Sequence, residues 1–430
     1  MVASELEQPC ALGQPCKLPP QECLWPIRDD QQPEVVHTAE EFLEVVQMQH
    51  HMERVVVFPN GIRLLGQSGA LPEQLQHAVA GSQNVRGVLE KLDTAAASFR
   101  ARLWQYSLRS KEKEIKVPKG RSLPVIDKKS LAALRQQLLH QEKEGKVKSD
   151  AALYISELRW QRKVPHPLNS HEWVKTATGC DIFDVAPFSK HLPLWERSEG
   201  GIFVGERGAG SGLHVDQCLW SNVGRNWSGF KLFALWPWSE RHQILDEAGK
   251  GAIFRPPLTD KEADFLSRAK SVVLVGPGDV WVFSGGQPHT AMCVGDGINV
   301  CAYESFVSAN EEAMKLLVQS NTKPAHWRNC WMDDDDLDEL YEDVVDSLQS
   351  ALQDSSLNSR LRQSLEGCRR IMRECEDSYC QDLWVQEDKG ERRRRREEEL
   401  EDGSVTSVDS APRLQGPCKK LRIEPKPATA

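Results

Sequence analysis

A short polar pair placed just ahead of an apolar strand constrains this 430-residue sequence more than any other feature. His214 and Asp216 are two residues apart, so on a β-strand both side chains lie on the same face. Such a strand directs one imidazole and one carboxylate to a common point, which supplies two of the three protein ligands of a 2-His-1-carboxylate metal site. Taken alone, the pair also occurs by chance, and a solvated strand end is then the simpler interpretation.

A second stretch provides the candidate for the third ligand. A turn at Pro277, Gly278 and Asp279 leads into an apolar run over 280–283. A Gly-Gly-Gln-Pro loop follows and presents His289. We therefore predict that His214, Asp216 and His289 hold one metal ion.

A lysine inside an apolar segment makes the metal interpretation more specific. Lys231 follows Asp216 by fifteen residues and enters the run Leu-Phe-Ala-Leu-Trp-Pro-Trp, which has the composition of a buried strand. An ammonium group in such a strand is costly unless an anion pairs with it. The sequence therefore predicts an anion-binding lysine close to the metal site.

Together these motifs resemble the JmjC family of Fe(II)- and 2-oxoglutarate-dependent oxygenases, over roughly residues 150–310. The lead-in to the metal pair of that family is matched by residues 208–216, its lysine segment by 229–237, and its proline-glycine-aspartate to histidine pattern by 277–289. The sequence departs from the pattern at Ser284, where the family carries a proline, and Pro288 instead stands beside the histidine.

The resemblance implies an α+β protein with a double-stranded β-helix core of the cupin or JmjC jelly-roll type, with helical additions at both ends. It implies Fe(II) at the triad, 2-oxoglutarate as cosubstrate and O₂ as oxidant. Lys231 would bind the distal carboxylate of 2-oxoglutarate, and Ser211 would assist it. Asn222 and Asn299 are further candidates for the cosubstrate pocket. The implied activity is hydroxylation of a protein side chain or oxidative removal of an N-methyl group, as in a histone demethylase.

Composition narrows the remaining classes of protein. The formal net charge of −9 argues against a chain-wide grip on nucleic acid, so direct nucleic-acid binding is not expected. The 12 cysteines include no Cys-x-x-Cys pair, which argues against a zinc finger or zinc ribbon. No signal peptide and no apolar run long enough to span a membrane is evident. We expect an intracellular protein, nuclear or cytoplasmic; two basic clusters in the tail are either nuclear-localisation signals or solvated charge runs.

The chain divides by pattern into five regions. Residues 1–33 read as an irregular N-terminus, and 34–150 as a mainly helical region that includes a helical pattern from residue 71 to 110. Residues 151–310 form the oxygenase-like core, and 311–386 a C-terminal helical region that offers a surface for a homodimer. Residues 387–430 read as a disordered charged tail.

Two other interpretations remain open. A non-catalytic JmjC-like scaffold or interaction protein would keep the core but lack turnover, and the intact triad with Lys231 argues against it. A cupin that binds another metal without 2-oxoglutarate would have no need of Lys231. The substrate stays open, although the lack of a zinc-ligated reader module favours hydroxylation of a protein or an RNA component over histone demethylation.

Overall fold

The structure is a computed structural model of the whole chain. It describes residues 8–9, 15–48, 54–64, 71, 73–92, 99–106, 113–114, 129–148, 151–160, 201–216, 220–237, 240–249, 251–284, 286–307, 311, 314, 334–355, 357 and 359–379. The chain divides into two compact units, Met1–Asp377 and Ser378–Ala430. All the strands and the candidate site belong to the first unit. The predicted charged tail lies outside the described residues.

Helices and strands alternate irregularly along the first unit. The strands are β1 Gln8–Pro9, β2 Pro15–Cys16, β3 Glu34–Val35, β4 Val56–Phe58, β5 Phe99–Tyr106, β6 Lys113–Glu114, β7 Lys129–Ser130, β8 Ala152–Trp160, β9 Gly201–Gly205, β10 Gly210–Val215, β11 Trp220–Ser228, β12 Phe230–Leu235, β13 Ser271–Val275, β14 Val280–Ser284, β15 Pro288–Val294 and β16 Asn299–Val307. The helices are α1 Ala39–Met48, α2 Gly61–Leu64, α3 Glu73–Ala80, α4 Val85–Lys91, α5 Leu131–Lys143, α6 Arg241–Ala248, α7 Asp260–Ser267, α8 Asp334–Gln353 and α9 Ser359–Tyr379.

Two large sheets make this an α+β protein. Among the described residues, a four-stranded sheet has the order β10-β15-β12-β13. A ten-stranded sheet has the order β3-β4-β14-β11-β16-β9-β8-β5-β6, with β7 also paired to β5. All of these pairs are antiparallel except β3 with β4. From β9 onward the chain passes back and forth between the two sheets, so residues distant in sequence face one another across the gap.

Alternation along the strands decides which side chains fill that gap. On β12, Phe233 and Leu235 pack against Trp281 and Phe283 of the large sheet, in one core between the sheets. Leu232 and its even-numbered neighbours instead pack on the outer face, against α6 and α7. The outer face of the large sheet is covered in the same way by α3, α4 and α5. Lys231 has the parity of Phe233 and therefore points into the space between the sheets.

Several elements agree with their local sequence patterns. Gly201–Gly205, Ser271–Val275 and Asn299–Val307 are strands, and Leu131–Lys143 is a helix. Thr38 caps α1 as its sequence predicts, because the backbone N–H of Glu41 donates to Thr38 Oγ1 (3.1 Å) and the Glu41 carboxylate accepts from the N–H of Thr38 (3.3 Å). The helices expected in the C-terminal region are α8 and α9, whereas most of the one expected after residue 311 lies outside the described residues.

The helical pattern expected from residue 71 to 110 is wrong at its C-terminal end. Residues Phe99–Tyr106 form strand β5, which pairs with β8. The four-residue spacing of Phe99 and Leu103 suggested a helix. Burial instead follows a period of two, because Ala101 and Leu103 join the helix-covered core while Trp104 and Tyr106 pack on the opposite face. Pairing with a distant strand overrode the local pattern.

The N-terminal segment is irregular, as expected, but it is packed. Trp25 is buried and donates its indole N–H to Phe254 O (2.5 Å). The amide of Gln31 donates to Leu266 O and Ala269 O at the end of α7. The segment therefore closes the outer face of the four-stranded sheet.

Candidate metal centre

The two predicted histidine ligands are opposite neighbours on adjacent strands. His214 of β10 pairs in register with His289 of β15, and their ring centroids lie 4.2 Å apart. Residues directly opposite on antiparallel strands point to the same face, which here is the gap between the sheets. Strand pairing therefore brings the two imidazoles together although the sequence separates them widely.

Asp216 follows the end of β10 and completes the group. One carboxylate oxygen lies 3.4 Å from His214 Nε2, and the other lies 3.4 Å from His289 Nε2. The three candidate ligand atoms all lie within 4.8 Å of one another. The structure thus brings together all three predicted residues, and the group could hold a metal ion.

Hydrogen bonds on the far side of each ring set the donor atoms. His214 Nδ1 lies 2.6 Å from Gly212 O, and His289 Nδ1 lies 3.0 Å from Gln287 O. A carbonyl oxygen can only accept, so each Nδ1 carries a proton and, in the neutral ring, each Nε2 presents a lone pair. Two imidazole lone pairs and one carboxylate then converge without a proton between them. This donor set fits a cation such as Fe(II) or Zn(II).

Electrostatics support a neutral His289 and an ionised Asp216. Burial, followed by the neighbouring His214, lowers the pKa of His289 to about 4, so its ring is neutral near pH 7. Removal from water works to raise the pKa of Asp216, but His289, His214 and Asn222 outweigh it and hold that pKa well below its usual range. Asp216 is therefore a carboxylate, with one third of its side chain exposed (33%).

Lys231 occupies the predicted position and is fully buried (0% exposed). Its Nζ donates to Tyr154 OH (3.0 Å) and to Cys301 Sγ (3.2 Å). The ammonium also lies 5.1 Å from the ring centroid of Tyr303 and 5.6 Å from that of Phe203, a cation–π environment. Strands β8, β9 and β16 of the large sheet thus surround a lysine that the small sheet supplies.

The charge of Lys231 has no carboxylate counterpart among the residues that the structure describes, since none lies within ion-pair distance of its Nζ. Desolvation works to lower the pKa of Lys231, while the hydrogen bonds that its Nζ donates to Tyr154 and Cys301 favour the ammonium form. Burial in turn raises the pKa of Cys301 and Tyr154, so both are neutral near pH 7. A buried cation ringed by neutral groups favours an anionic ligand.

Ser211 reaches the same lysine indirectly. Its Oγ lies 3.3 Å from Tyr154 OH, which accepts from Lys231. The pairing of β10 with β15 shifts register between Ser211 and His214, and this bulge lets both side chains face inward despite their odd spacing. Tyr154 was not among the predicted site residues. Its signal in the sequence was a tyrosine at an inward position of the strand that opens the core.

The two candidate asparagines have different positions. Asn222 Nδ2 donates to Asp216 Oδ2 (2.9 Å), so it contacts the metal-site carboxylate. Asn299 donates from its Nδ2 to Asn226 Oδ1 (2.8 Å) and Ser228 O (3.0 Å), which ties β16 to β11. The observed contacts therefore give Asn222 a positioning role at the acid ligand and give Asn299 a role in strand pairing.

In comparisons with known proteins, no family model matches the chain, and no curated protein matches it significantly. The residues and the geometry of the site are therefore the basis for a function.

Proposed function

We propose that the chain is an Fe(II)- and 2-oxoglutarate-dependent dioxygenase of the JmjC type, acting on a protein substrate. One observation carries this proposal. A two-histidine, one-carboxylate group faces the gap between two sheets, and so does a buried lysine that has no carboxylate partner among the described residues. The first suits a divalent cation with open positions, and the second suits an anion. A single ligand with a metal-chelating end and a distant carboxylate would satisfy both.

We further propose that β9–β16 form a double-stranded β-helix. The strand orders support it. In one sheet the neighbours are β9, β16, β11 and β14, which are the first, eighth, third and sixth of these strands. In the other sheet the neighbours are β10, β15, β12 and β13, which are the second, seventh, fourth and fifth. This alternation is that of an eight-stranded jelly roll, in which ligands bind between the sheets. The same topology explains why residues of β10 and β15 meet.

Each residue has a defined task in this proposal. His214, Asp216 and His289 would hold Fe(II), and Asn222 fixes the carboxylate of Asp216 by its hydrogen bond. Lys231 would pair with the distal carboxylate of 2-oxoglutarate, with Tyr154 and Ser211 in the same hydrogen-bonded chain. Phe233 and Phe283 flank the ring of His289 and keep water from that side. Fe(II) and 2-oxoglutarate, when bound, supply the oxidising chemistry that couples decarboxylation to oxygen insertion into a substrate C–H bond.

The substrate and the partners stay predictions. Hydroxylation of a side chain and removal of an N-methyl group, as in histone demethylation, use the same site, since a hydroxylated N-methyl group collapses to formaldehyde and the free amine. A homodimer through the C-terminal helices also stays a prediction, although Val344, Leu348, Leu365 and Cys368 on those helices are already buried within the chain. In the described part of the chain, no helix has the length and apolar character needed to cross a membrane.

Metal titration tests the proposal first. Asp216→Ala removes the only charged ligand of the group, and we expect the affinity for Fe(II) under anaerobic conditions to fall at least 100-fold while the far-UV circular dichroism is kept. Asp246→Ala, at an exposed position of α6, is the matched control and should bind like the parent. Equal Fe(II) affinity in Asp216→Ala and the parent would exclude the triad.

Turnover tests the second part of the proposal. The parent protein with Fe(II), ascorbate, O₂ and 2-oxoglutarate should form succinate, slowly even without the protein substrate. A parent that binds Fe(II) but forms no succinate with any candidate protein substrate would favour the non-catalytic scaffold.

A further inference from the structure

Trp281 is a large buried side chain in the gap between the sheets, and the proposed chemistry assigns it no role. It is fully buried (0% exposed) on the inner face of β14. It pairs in register with Gly224 of β11, and its indole packs against that glycine. A Cβ at Gly224 would lie 2.2 Å from Trp281 Cε2, so the ring occupies the space of the missing side chain. Glycine is therefore required at 224 for the indole to lie where it does.

The indole N–H of Trp281 is a buried donor without a hydrogen-bond partner among the described residues. Two other buried tryptophans in the described part of the chain have a partner for this group. Trp236 donates to Phe265 O (2.9 Å), and Trp25 donates to Phe254 O. An unsatisfied buried donor destabilises the folded protein, and such groups in native proteins call for an explanation. A ligand that brings an acceptor into the gap would satisfy this donor.

Trp281 and the buried lysine share a neighbour, Tyr303. Its ring meets Tyr303 edge to face, with centroids 5.4 Å apart, and Lys231 Nζ lies 5.1 Å from the centroid of the same tyrosine. Phe203, Ser211 and Tyr303 point into the gap yet remain partly exposed, which shows that solvent reaches it. The two side chains that carry these donors, Lys231 and Trp281, thus both border Tyr303.

We propose that the Trp281 indole N–H donates a hydrogen bond to the distal carboxylate of 2-oxoglutarate, next to Lys231. This inference rests on the proposed function. An ammonium acts as a point charge with three rotatable donors and does little to fix the orientation of a carboxylate. A single N–H held rigidly against Gly224 supplies that direction. Trp281 would thus favour a ligand that carries a carboxylate at this end. It would also fix the orientation of the ligand's carbon chain.

A nitrogen-15 spectrum of the indole groups tests the contact directly. Zn(II)-loaded protein, which does not turn over, is labelled at tryptophan, and the Trp281 resonance is assigned by its loss in Trp281→Phe. Addition of 2-oxoglutarate should move this resonance downfield, as expected when a free N–H gains a carboxylate acceptor. The resonances of Trp236 and Trp25 are internal controls and should stay in place, because their N–H groups are already bonded.

Binding constants test the energetic role. In Trp281→Phe the dissociation constant of 2-oxoglutarate, measured by calorimetry on the Zn(II)-loaded protein, should rise about tenfold. That of 2-oxopentanoate, which keeps the chelating end but has a neutral tail, should change less than twofold. A purely structural role for the ring would weaken both ligands equally, and that result would overturn the inference.

The remaining outcomes are also decisive. An unmoved Trp281 resonance with unchanged 2-oxoglutarate affinity would overturn this inference and leave the proposed function intact. A parent protein that binds Zn(II) but not 2-oxoglutarate would overturn both. If Trp281→Phe does not fold, the parent spectrum still tests the idea, because at least one indole resonance must then move downfield on addition of 2-oxoglutarate.

Discussion

Lys231 is an ammonium group with no exposed surface, and its neighbours carry hydroxyl, thiol and aromatic groups rather than a carboxylate. Burial of such a charge without an anion destabilises the folded protein, and a bound anion removes that penalty. In the proposed function the residue would therefore contribute to binding at the expense of the stability of the ligand-free protein. This trade separates a ligand-binding lysine from a structural one.

The prediction for Lys231→Met follows from that trade. Methionine keeps much of the stem volume and removes the charge. The Michaelis constant for 2-oxoglutarate, measured by succinate formation, should rise at least tenfold, which corresponds to about 1.4 kcal/mol. The melting temperature without cosubstrate should hold or increase.

Lys270→Met is the control for Lys231→Met, since Lys270 is exposed and the same change there should leave both quantities unaltered. An unchanged constant in Lys231→Met would mean that another residue holds the carboxylate. A large fall in melting temperature would instead indicate a structural lysine.

Much of the site at this scale could be predicted from the sequence. The spacing of His214 and Asp216 and the apolar surroundings of Lys231 are local signals, and local periodicity decides which face they take. Tyr154 and Trp281 could not be predicted in the same way. Their roles depend on β8 and β14 lying opposite β12, and no single stretch of sequence contains that relation.

At the level of elements, the site depends on how closely β10 and β15 approach. Gly210 lies opposite Met292 in the register of the pair, at the start of the strand that carries His214. A Cβ added there would lie only 1.9 Å from Ala291 O. Because that oxygen belongs to the backbone of β15, relief requires the two strands to separate.

Gly210→Ala should therefore damage the metal site from a distance. We expect a loss of about 1–3 kcal/mol in the free energy of unfolding. A fall of at least tenfold in Fe(II) affinity should accompany it, because His214 and His289 lie on the two separating strands. Urea unfolding and anaerobic Fe(II) titration measure the two effects.

Gly297→Ala is the matched control for Gly210→Ala, because nothing lies within 4 Å of a Cβ at that position. It should be neutral or slightly stabilising. A Gly210→Ala protein with the stability and Fe(II) affinity of the parent would contradict the proposed dependence of the site on strand spacing.

Some helices and strands could be predicted from the local sequence and others could not, and β5 shows the reason. Its sequence satisfies a helical spacing at Phe99 and Leu103, and a strand spacing at Ala101 and Leu103. Pairing with β8 decides that this segment is a strand, because the backbone groups of β8 pair with those of β5 over seven register positions. The five-residue strand β13 was predictable because apolar residues fill it and a turn follows it.

At the scale of the whole molecule, the strand pairing places every element of the site in the unit Met1–Asp377. The large sheet supplies Tyr154, Trp281 and Tyr303, and the small sheet supplies Lys231 and both histidines. A ligand that touches both groups would stabilise the folded protein as a whole by mass action, by about 2.7 kcal/mol at 100 times its dissociation constant. The order of the strands across two sheets was expected only through a family resemblance, because pairing over long sequence separations leaves no local signal.

The last prediction concerns where the first unit ends. Helix α9 buries Leu365, Cys368, Ile371 and Met372, and it ends at Tyr379, two residues beyond the boundary between the units. A chain that stops after Tyr379 keeps all these contacts and all of the site. We therefore expect its free energy of unfolding to change by less than about 1 kcal/mol, a shift of roughly 2–4 °C in melting temperature, and its Fe(II) affinity to match the parent.

A chain that stops after residue 355 loses α9 and is the matched comparison. It should be strongly destabilised, since each buried apolar side chain contributes about 1.5–3 kcal/mol. Thermal unfolding followed by circular dichroism, with Fe(II) titration of each chain, measures both. Loss of Fe(II) binding in the chain that stops after Tyr379 would contradict the assignment of the whole site to the first unit.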